Sequence, residues 1–421
     1  MSLPVLSIVA FAIAILVSCI SEINVGFLSI AFAFIIGVAF GGMRVPDVVA
    51  GFPVGLFMIL TGVTLLFSQA SVNGTLDKLA RHSVKLARGN VGLIPVIFLF
   101  LTAGLAAIGA GNIATTALLA PVAMNIAGKL RISGFLMTVM VCCGANAGAL
   151  SPIAPTGIIA NGLLARIGIQ GQEWPTFINN FGAEAFVGLT GYFLFGGLKL
   201  FRRGSSAPAG QTTDDYLVAD EGPMTWQQKL TLAVITALII SVAYFKVDLG
   251  MAAFIGAVIL TLARASNEEA AVKAMPWNVI LMVCGVTVLI SILEKKGGMD
   301  LFTSILARFS TENSVTGVIA FVTGLISVYS SSSGVVLPAF IPTIPGLIQR
   351  IGGGDAMAIA SSINVGAHLV DVSPLSTLGA LCIANAAPTE DRKALFNKLL
   401  AWGLSMSVVG AFVCWVLFGL L

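Results

Sequence analysis

Two ionisable residues, His368 and Asp371, stand in an otherwise uncharged stretch of apolar and hydroxyl-bearing residues. They are three positions apart, so a continuous helix would place both side chains on one face. An ionisable pair within an apolar segment indicates a proton relay, a cation ligand or a direct contact with a polar substrate. A mutually satisfied pair that fixes the local backbone is the alternative. Glu184 is expected nearer a membrane face, in a structural role.

Proline, glycine and hydroxyl residues interrupt the stretch that contains His368 and Asp371. They also interrupt a matching stretch earlier in the chain. Pro152 and Pro155 break the earlier stretch and Pro374 breaks the later one. None of them has the N–H group that a continuous helix needs. Unwound backbone would free carbonyl oxygens for a hard cation, and the N-termini of half-helices would present N–H groups to an anion. A kinked but otherwise plain helix is the competing interpretation.

Small polar residues also interrupt two long apolar runs, at 109–112 and at 330–334. Each run is either two full membrane spans joined by a tight turn or a re-entrant helical hairpin whose tip lies at mid-membrane. We expect hairpins, over residues 89–130 and 313–351, because non-helical backbone at that depth must line a polar cavity.

The composition requires a membrane around these elements. Charged residues make up 10% of the 421 residues and apolar residues 57%, whereas soluble domains carry roughly 25% charged residues. A net charge of +3 provides no basic face for nucleic acid. The sequence also lacks the motifs of zinc proteases and serine hydrolases and any cluster of metal ligands. We therefore expect neither an enzyme nor a cofactor.

Landmarks in the first half of the chain return in the second half at a nearly constant spacing. Gly62-Val63-Thr64 returns as Gly285-Val286-Thr287, and Ser151-Pro152 returns as Ser373-Pro374. Several matches at one spacing are hard to obtain by chance, even in an apolar chain. The sequence is therefore predicted to be a tandem duplication.

Apolar runs of about 20 residues, the length that crosses a bilayer, predict five transmembrane helices and one re-entrant hairpin in each half. Each half then crosses the membrane an odd number of times, so the second enters from the opposite side. Such inverted-topology repeats are typical of transporters with a binding site at the repeat interface. The predicted all-α polytopic membrane protein has a first repeat over 1–203, a cytoplasmic linker over 204–226, a second repeat over 227–421, and broken helices over 134–165 and 355–387.

Most lysine and arginine residues flank one side of the predicted spans, which identifies the cytoplasmic face. Lys78, Lys129, Arg264 and Lys273 belong to this side, and both termini are then expected on the outer face. No lysine or arginine lies inside a predicted span. An anionic substrate would therefore be bound by hydroxyls, amides and helix ends, with sodium ions to offset its charge.

The first hairpin motif, Gly111-Asn112-Ile113-Ala114-Thr115-Thr116, resembles the Ser-Asn-Thr hairpin motif of the divalent-anion:sodium symporters, and Ser373-Pro374 resembles their Thr-Pro element. Over nearly its whole length the chain looks most like the malonate/C4-dicarboxylate carrier branch of that ion-transporter superfamily. Gly111 and Ile113 replace the Ser and Thr of the motif, and no Asn stands in the second tip.

The resemblance implies a homodimeric, sodium-coupled symporter of a small dicarboxylate in a lipid bilayer, expected to be a bacterial inner membrane. Its hairpins and broken helices would move as an elevator against the other helices. The residues implied for substrate binding are Asn112, Ile113, Ser151, Pro152, Thr156, Ser332, Ser333, Ser373, Pro374 and Thr377. The residues implied for sodium are Gly111, Asn112, Asn146, Ser331, Ser332 and Asn364.

Two other functions remain open from the residues. One is a proton-coupled organic-anion carrier or antiporter that uses His368 and Asp371 as coupling groups. The other is a channel, which needs a continuous polar pore that two opposed hairpins would block.

Overall fold

The computed structural model describes residues 2–20, 23–76, 78–79, 90–202, 222–245 and 247–420. The predicted linker up to residue 221, and residue 89 of the predicted first hairpin, lie outside these ranges. Every regular element within the described ranges is a helix. The helices of the first half are α1 (Leu3–Ile20), α2 (Val25–Phe34), α3 (Val45–Val49), α4 (Val54–Val72), α5 (Leu93–Leu105), α6 (Gly111–Leu130), α7 (Gly134–Ala149), α8 (Pro155–Arg166), α9 (Glu173–Leu194) and α10 (Gly197–Arg202).

The second half has the same character, with more short turns between its helices. Its helices are α11 (Trp226–Phe245), α12 (Leu249–Leu262), α13 (Glu268–Ala274), α14 (Trp277–Lys295), α15 (Gly298–Arg308), α16 (Val315–Ser327), α17 (Leu337–Phe340), α18 (Ile344–Ile351), α19 (Ala356–Leu369), α20 (Thr377–Ala384) and α21 (Arg392–Cys414). Wider π-helical turns are Ile35–Phe40, Ala106–Ala110, Ser332–Val336 and Trp415–Leu420, and tighter 3₁₀ turns are Ile341–Thr343 and Val370–Val372.

Six helical stretches in the described ranges are long and apolar enough to cross a membrane. They are Val54–Val72, Leu93–Leu130, Trp277–Lys295, Ser332–Ile351, Ala356–Ala384 and Arg392–Leu420. The prediction of an all-α membrane protein is confirmed. The count of five spans and one hairpin in each repeat stays a prediction, as does the division of the chain into repeats.

Polar side chains at the helix starts explain where several of these helices begin. The side chain of Asp355 accepts a hydrogen bond from the N–H of Ala358 at the start of α19, at 2.7 Å. Asn24 does the same for the N–H of Gly26 at the start of α2, at 2.8 Å. Such N-caps satisfy N–H groups that have no partner within the helix. Short polar residues, as well as proline, therefore determine where the apolar runs are divided into separate helices.

The two halves contact each other through glycines at equivalent positions of the duplication. A methyl group on Gly285 of α14 would lie 2.2 Å from the backbone oxygen of Gly26 on α2, and one on Gly62 of α4 would lie 2.6 Å from that of Gly250 on α12. Gly26 matches Gly250, and Gly62 matches Gly285, so the same backbone contact is made twice. Reciprocal contacts of this kind are expected for halves related by a two-fold axis. They support the duplication, while the membrane orientation of the halves stays a prediction.

Candidate functional site

The interrupted helices surround two neighbouring cavities that share Asn112, Ile113 and Ser333. The polar cavity, of about 300 Å³, lies between both predicted hairpin tips and the second broken helix. The apolar cavity, of about 270 Å³, lies between the first tip, the first broken helix and α4. The polar cavity is lined by Ile23, Asn24, Val25, Asn112, Ile113, Asn278, Met282, Tyr329, Ser330, Ser331, Ser332, Ser333, Val335, Asp371, Leu375, Ser376, Thr377 and Leu378.

The first predicted tip is a sharp break between α5 and α6. Gly109 has φ of +119° and Gly111 has φ of +76°, a region that residues with a Cβ rarely adopt. A methyl group on Gly109 would also lie 2.2 Å from the ring of Phe67 on α4. The break places Asn112 in the first turn of α6, where its side-chain oxygen accepts a hydrogen bond from the N–H of Ile113 at 3.0 Å. Glycine is therefore required at the tip by both conformation and space.

Asn146 of α7 connects this tip to the rest of the core. Its side-chain oxygen accepts a hydrogen bond from the amide of Asn112 at 2.9 Å, and its own amide donates to the backbone oxygen of His368 at 2.9 Å. Its backbone oxygen accepts from Asn180 of α9 at 2.8 Å. Because Asn146 is completely buried, these bonds form without competition from water. Asn146 thus joins the first tip to α9 and to the second broken helix.

The second predicted tip is a chain of hydroxyl groups that ends on a carboxylate. The hydroxyl of Ser332 lies 2.8 Å and 2.9 Å from the two carboxylate oxygens of Asp371 and 2.6 Å from the hydroxyl of Ser327. One hydroxyl has one proton to donate, so Ser327 donates to Ser332 and Ser332 donates to Asp371. The hydroxyl of Ser331 accepts from the N–H of Gly334 at 3.0 Å and shapes the turn. Asp371 lines the polar cavity beside this turn.

After its break, the second broken helix resumes as α20. The N-terminus of α20 lies beside the same cavity. Ser376 precedes α20, and its hydroxyl accepts from the N–H of Gly379 at 3.4 Å and donates to the backbone oxygen of Ser373 at 2.9 Å, with a further contact to that of Asp371. Ser376 and Thr377 both line the polar cavity. The first turn of α20 therefore offers N–H groups and a positive dipole end to an anion.

The predicted site residues divide into three groups in the structure. Asn112, Ile113, Ser331, Ser332, Ser333, Thr377 and Asp371 line the polar cavity. Gly111 and Thr156 line the apolar cavity. Ser151, Pro152, Ser373, Pro374, Asn146, Asn364 and His368 belong to neither lining. The first group is brought together, and Asn146 is joined to it through Asn112. The roles of all these residues stay predictions.

His368 and Asp371 do not satisfy each other. The ring Nδ1 of His368 lies 2.7 Å from the backbone oxygen of Asn364, and its Nε2 has no hydrogen-bond partner within the described ranges. Asp371 instead contacts Ser332. The reason is that α19 ends at Leu369 and tightens into a 3₁₀ turn over Val370–Val372, which changes the direction of the Asp371 side chain relative to a continuous α-helix.

Several residues that line the polar cavity were not predicted from the sequence, among them Ser376, Asn24 and Asn278. Ser376 stands directly before the second half-helix, and this N-cap position could have identified it. Asn24 and Asn278 lie far apart in sequence, yet the amide of Asn24 donates to the backbone oxygen of Asn278 at 2.9 Å. No local signal predicts that contact, because it depends on how α2 packs against α14.

Comparisons with known proteins agree with a transporter. Residues 1–149 match the family model described as "Dicarboxylate carrier protein MatC N-terminus". Uncharacterized transporters of Mycobacterium tuberculosis and Mycobacterium bovis are each 21% identical over 350 residues, which covers 79% of this chain and 78% of theirs. These matches support a transporter of the dicarboxylate-carrier type.

Two solved structures have a similar fold. The YdaH transporter of Alcanivorax borkumensis is 15% identical with a TM-score of 0.58, over 89% of this chain and 87% of that one. MtrF of Neisseria gonorrhoeae, described as illuminating a class of antimetabolite efflux pumps, is 12% identical with a TM-score of 0.59, over 90% of this chain and 83% of that one. At this identity the likeness shows the fold alone.

Proposed function

We propose that the chain is a secondary active transporter that carries a small dicarboxylate across a membrane together with sodium. The observation that supports this most directly is the polar cavity, where both predicted tips and the N-terminus of α20 meet. The family match over residues 1–149 supports the same substrate class.

The dicarboxylate would be held by neutral donors. Asn112 from the first tip, Ser333 from the second tip and Thr377 at the start of α20 border one cavity of about 300 Å³. Donors from three separate elements around one cavity suit a ligand with a carboxylate at each end. None of the residues that line this cavity is a lysine or arginine, so cations that enter with the substrate would offset its charge.

At the second tip, Asp371 is a better candidate for a sodium ligand than the predicted ligand Asn364. The carboxylate of Asp371, the hydroxyl of Ser332 and the backbone oxygen of Ala367 lie together, with the last two 3.1 Å apart. Hard cations prefer such oxygen ligands. The side chain of Asn364 is buried, has no hydrogen-bond partner among the described residues and lines neither cavity.

Alternating access would move the hairpins and broken helices past the helices that join the two halves. The glycine contacts between α2 and α14 and between α4 and α12 bring backbones into direct contact, which suits a rigid scaffold. Asn278 lines the polar cavity and lies five positions after Lys273, on the basic side of the membrane. We therefore infer a cavity open to the cytoplasm, and we retain from the resemblance an elevator movement, a homodimer, a bacterial inner membrane and external termini.

A proton-coupled carrier or antiporter is the second candidate function. The observation that favours it is that Asp371 faces the polar cavity while, among the described residues, only the hydroxyl of Ser332 donates to its carboxylate oxygens. A carboxylate with a single donor at membrane depth is a suitable proton acceptor. Sodium and proton coupling therefore compete for the same group.

Ligand-dependent stability of the purified protein tests the proposed substrate. A ligand at 100 times its Kd stabilises a protein by about 2.7 kcal/mol, so malonate or succinate should raise the unfolding temperature, and sodium should increase the effect. Acetate is the matched control, because it has one carboxylate and cannot span the two tips. Equal stabilisation by acetate and by the dicarboxylates would contradict the proposed binding mode.

A further inference from the structure

Glu184 is a buried carboxyl group in the centre of the protein. It lies near the middle of α9, a helix of 22 residues, and its exposed fraction is 0%. Among the described residues, no nitrogen or oxygen donor lies within hydrogen-bond distance of either carboxylate oxygen, and the polar side chain that interacts with them is the thiol of Cys143. An ionised carboxylate here would have exchanged its water for a weak thiol donor, which is far more costly than burying a neutral acid.

Glu184 belongs to a polar stripe on one face of α9. Thr176, Asn180 and Glu184 follow each other at intervals of four residues, the spacing that stacks side chains on one helix face. All three are buried, and each has a side-chain oxygen without a hydrogen-bond partner in the part of the chain that the structure describes. The bond from Asn180 to the backbone oxygen of Asn146 turns this face toward α7. Unpartnered polar atoms are few in native cores, so a row of them indicates a function other than packing.

Helix α19 of the second half borders the same region. The amide of Asn179 on α9 donates to the hydroxyl of Ser361 on α19 at 2.9 Å. One and two turns further along α19, the side chains of Asn364 and His368 also have buried polar atoms without partners. Helices α7, α9 and α19 therefore enclose a polar region that is separate from the polar cavity, since neither Glu184 nor His368 lines that cavity.

We propose that Glu184 is a proton-binding site and that its proton is exchanged during the transport cycle. A proton is favoured over a metal cation because Glu184 lines neither of the two cavities described above, and one of its polar neighbours is the thiol of Cys143, which is a poor ligand for sodium. The carboxylic acid loses one proton to become the carboxylate, and no other bond changes. The inference deepens the proposed function, since it assumes a cycle of conformations.

The contacts of α7 connect this proton to the substrate site. Cys143, which faces Glu184, lies three residues before Asn146, whose side chain holds Asn112 at the first tip. Movement of the tip would therefore displace α7 against α9 and open Glu184 to water or to a new partner. The proton would then leave or enter on one side of the membrane in each cycle.

Other ionisable groups near Glu184 come from three directions. Cys143 approaches from α7 and Asp371 from the 3₁₀ turn after α19, while His368 lies on α19 itself. Helix α5, which also packs against α9, contains no ionisable residue. The ionisable residues of the neighbouring helices α8 and α10 are exposed: Arg166, Lys199 and Arg202.

Glu184→Gln tests the inference, with Glu173→Gln as the matched control. Glutamine keeps the size of the side chain and cannot release a proton. Glu173 is an exposed residue in the first turn of the same helix. Both variants are purified as full-length protein, and infrared difference spectra at neutral pH report the carbonyl stretch of protonated carboxylic acids. We expect that band to be smaller in Glu184→Gln and unchanged in Glu173→Gln. An unchanged band in Glu184→Gln would overturn the assignment of a proton.

Transport in proteoliposomes tests whether the proton is exchanged. Exchange of labelled dicarboxylate across the membrane without a gradient should persist in Glu184→Gln, whereas the additional uptake driven by an inward proton gradient should be lost. Glu173→Gln should keep both. A Glu184→Gln variant that still responds to the proton gradient like the wild type would overturn the inference. A variant that loses only its response to sodium would overturn the choice of a proton. Failure of the wild type to exchange any dicarboxylate would instead refute the proposed function and leave the infrared result valid.

Discussion

Substitution of Asn146 by alanine should release the first tip from the core. The change removes two hydrogen bonds of 2.9 Å, one from Asn112 and one to the backbone oxygen of His368. Side-chain hydrogen bonds in membrane proteins average about 0.6 kcal/mol and reach about 1.7 kcal/mol, so the loss should amount to about 1–3 kcal/mol. At 1.4 kcal/mol for a factor of ten, the affinity for a dicarboxylate that needs the ordered tip should fall roughly 5- to 150-fold.

Asn161→Ala is the matched control for this prediction. Asn161 of α8 loses the same atoms on substitution, yet none of the residues that the structure describes forms a hydrogen bond with its side-chain nitrogen or oxygen. Removing unsatisfied polar atoms costs little or stabilises. The assay is a titration of the purified variants with malonate or succinate, followed by the unfolding temperature. Equal losses of affinity in the two variants would refute the role of Asn146 as the link between the tip and the core.

Two further substitutions test the scaffold and the second tip. Gly285→Ala places a methyl group 2.2 Å from a backbone oxygen of the other half, so it should lower the free energy of unfolding by about 1–3 kcal/mol. Gly55→Ala is the control: its Cβ would have nothing within 4 Å, so it should not lower the unfolding temperature. Ser332→Ala removes the hydroxyl on Asp371 and should raise the sodium concentration for half-maximal stabilisation about 10- to 100-fold, since a hydrogen bond to a charged group contributes roughly 1.5–3 kcal/mol. Ser330→Ala is its control, because Ser330 lies in the bend after α16 and its hydroxyl donates to the backbone oxygen of Ile326 rather than to Asp371. Equal sodium requirements in the two serine variants would contradict a sodium site at the second tip.

The positions of the helix breaks could be predicted because they are encoded locally. Pro152 and Pro374 restrict the backbone, and the glycines of the first tip permit positive φ values, wherever these residues stand, so their effect does not depend on the rest of the fold. The all-helical membrane class follows equally directly from the apolar composition. Both features are present in the structure.

The partners of the polar residues could not be predicted, because they depend on packing between distant segments. Asn146 bonds to His368 across 222 positions of the chain, and Asn24 bonds to Asn278 across 254 positions. The burial of Glu184 was not predicted for the same reason. A single acidic residue in an apolar run gives the same sequence pattern whether it lies at a membrane face or in a protein core. Only the arrangement of α7, α9 and α19 distinguishes the two.

Counterflow of labelled malonate or succinate in proteoliposomes tests the central claim most directly. Vesicles loaded with unlabelled dicarboxylate should accumulate the labelled compound when sodium is present on both sides, and replacement of sodium by choline should reduce the rate. Vesicles that contain no protein provide the background. Absence of counterflow for both compounds, with and without sodium, would contradict a dicarboxylate transporter.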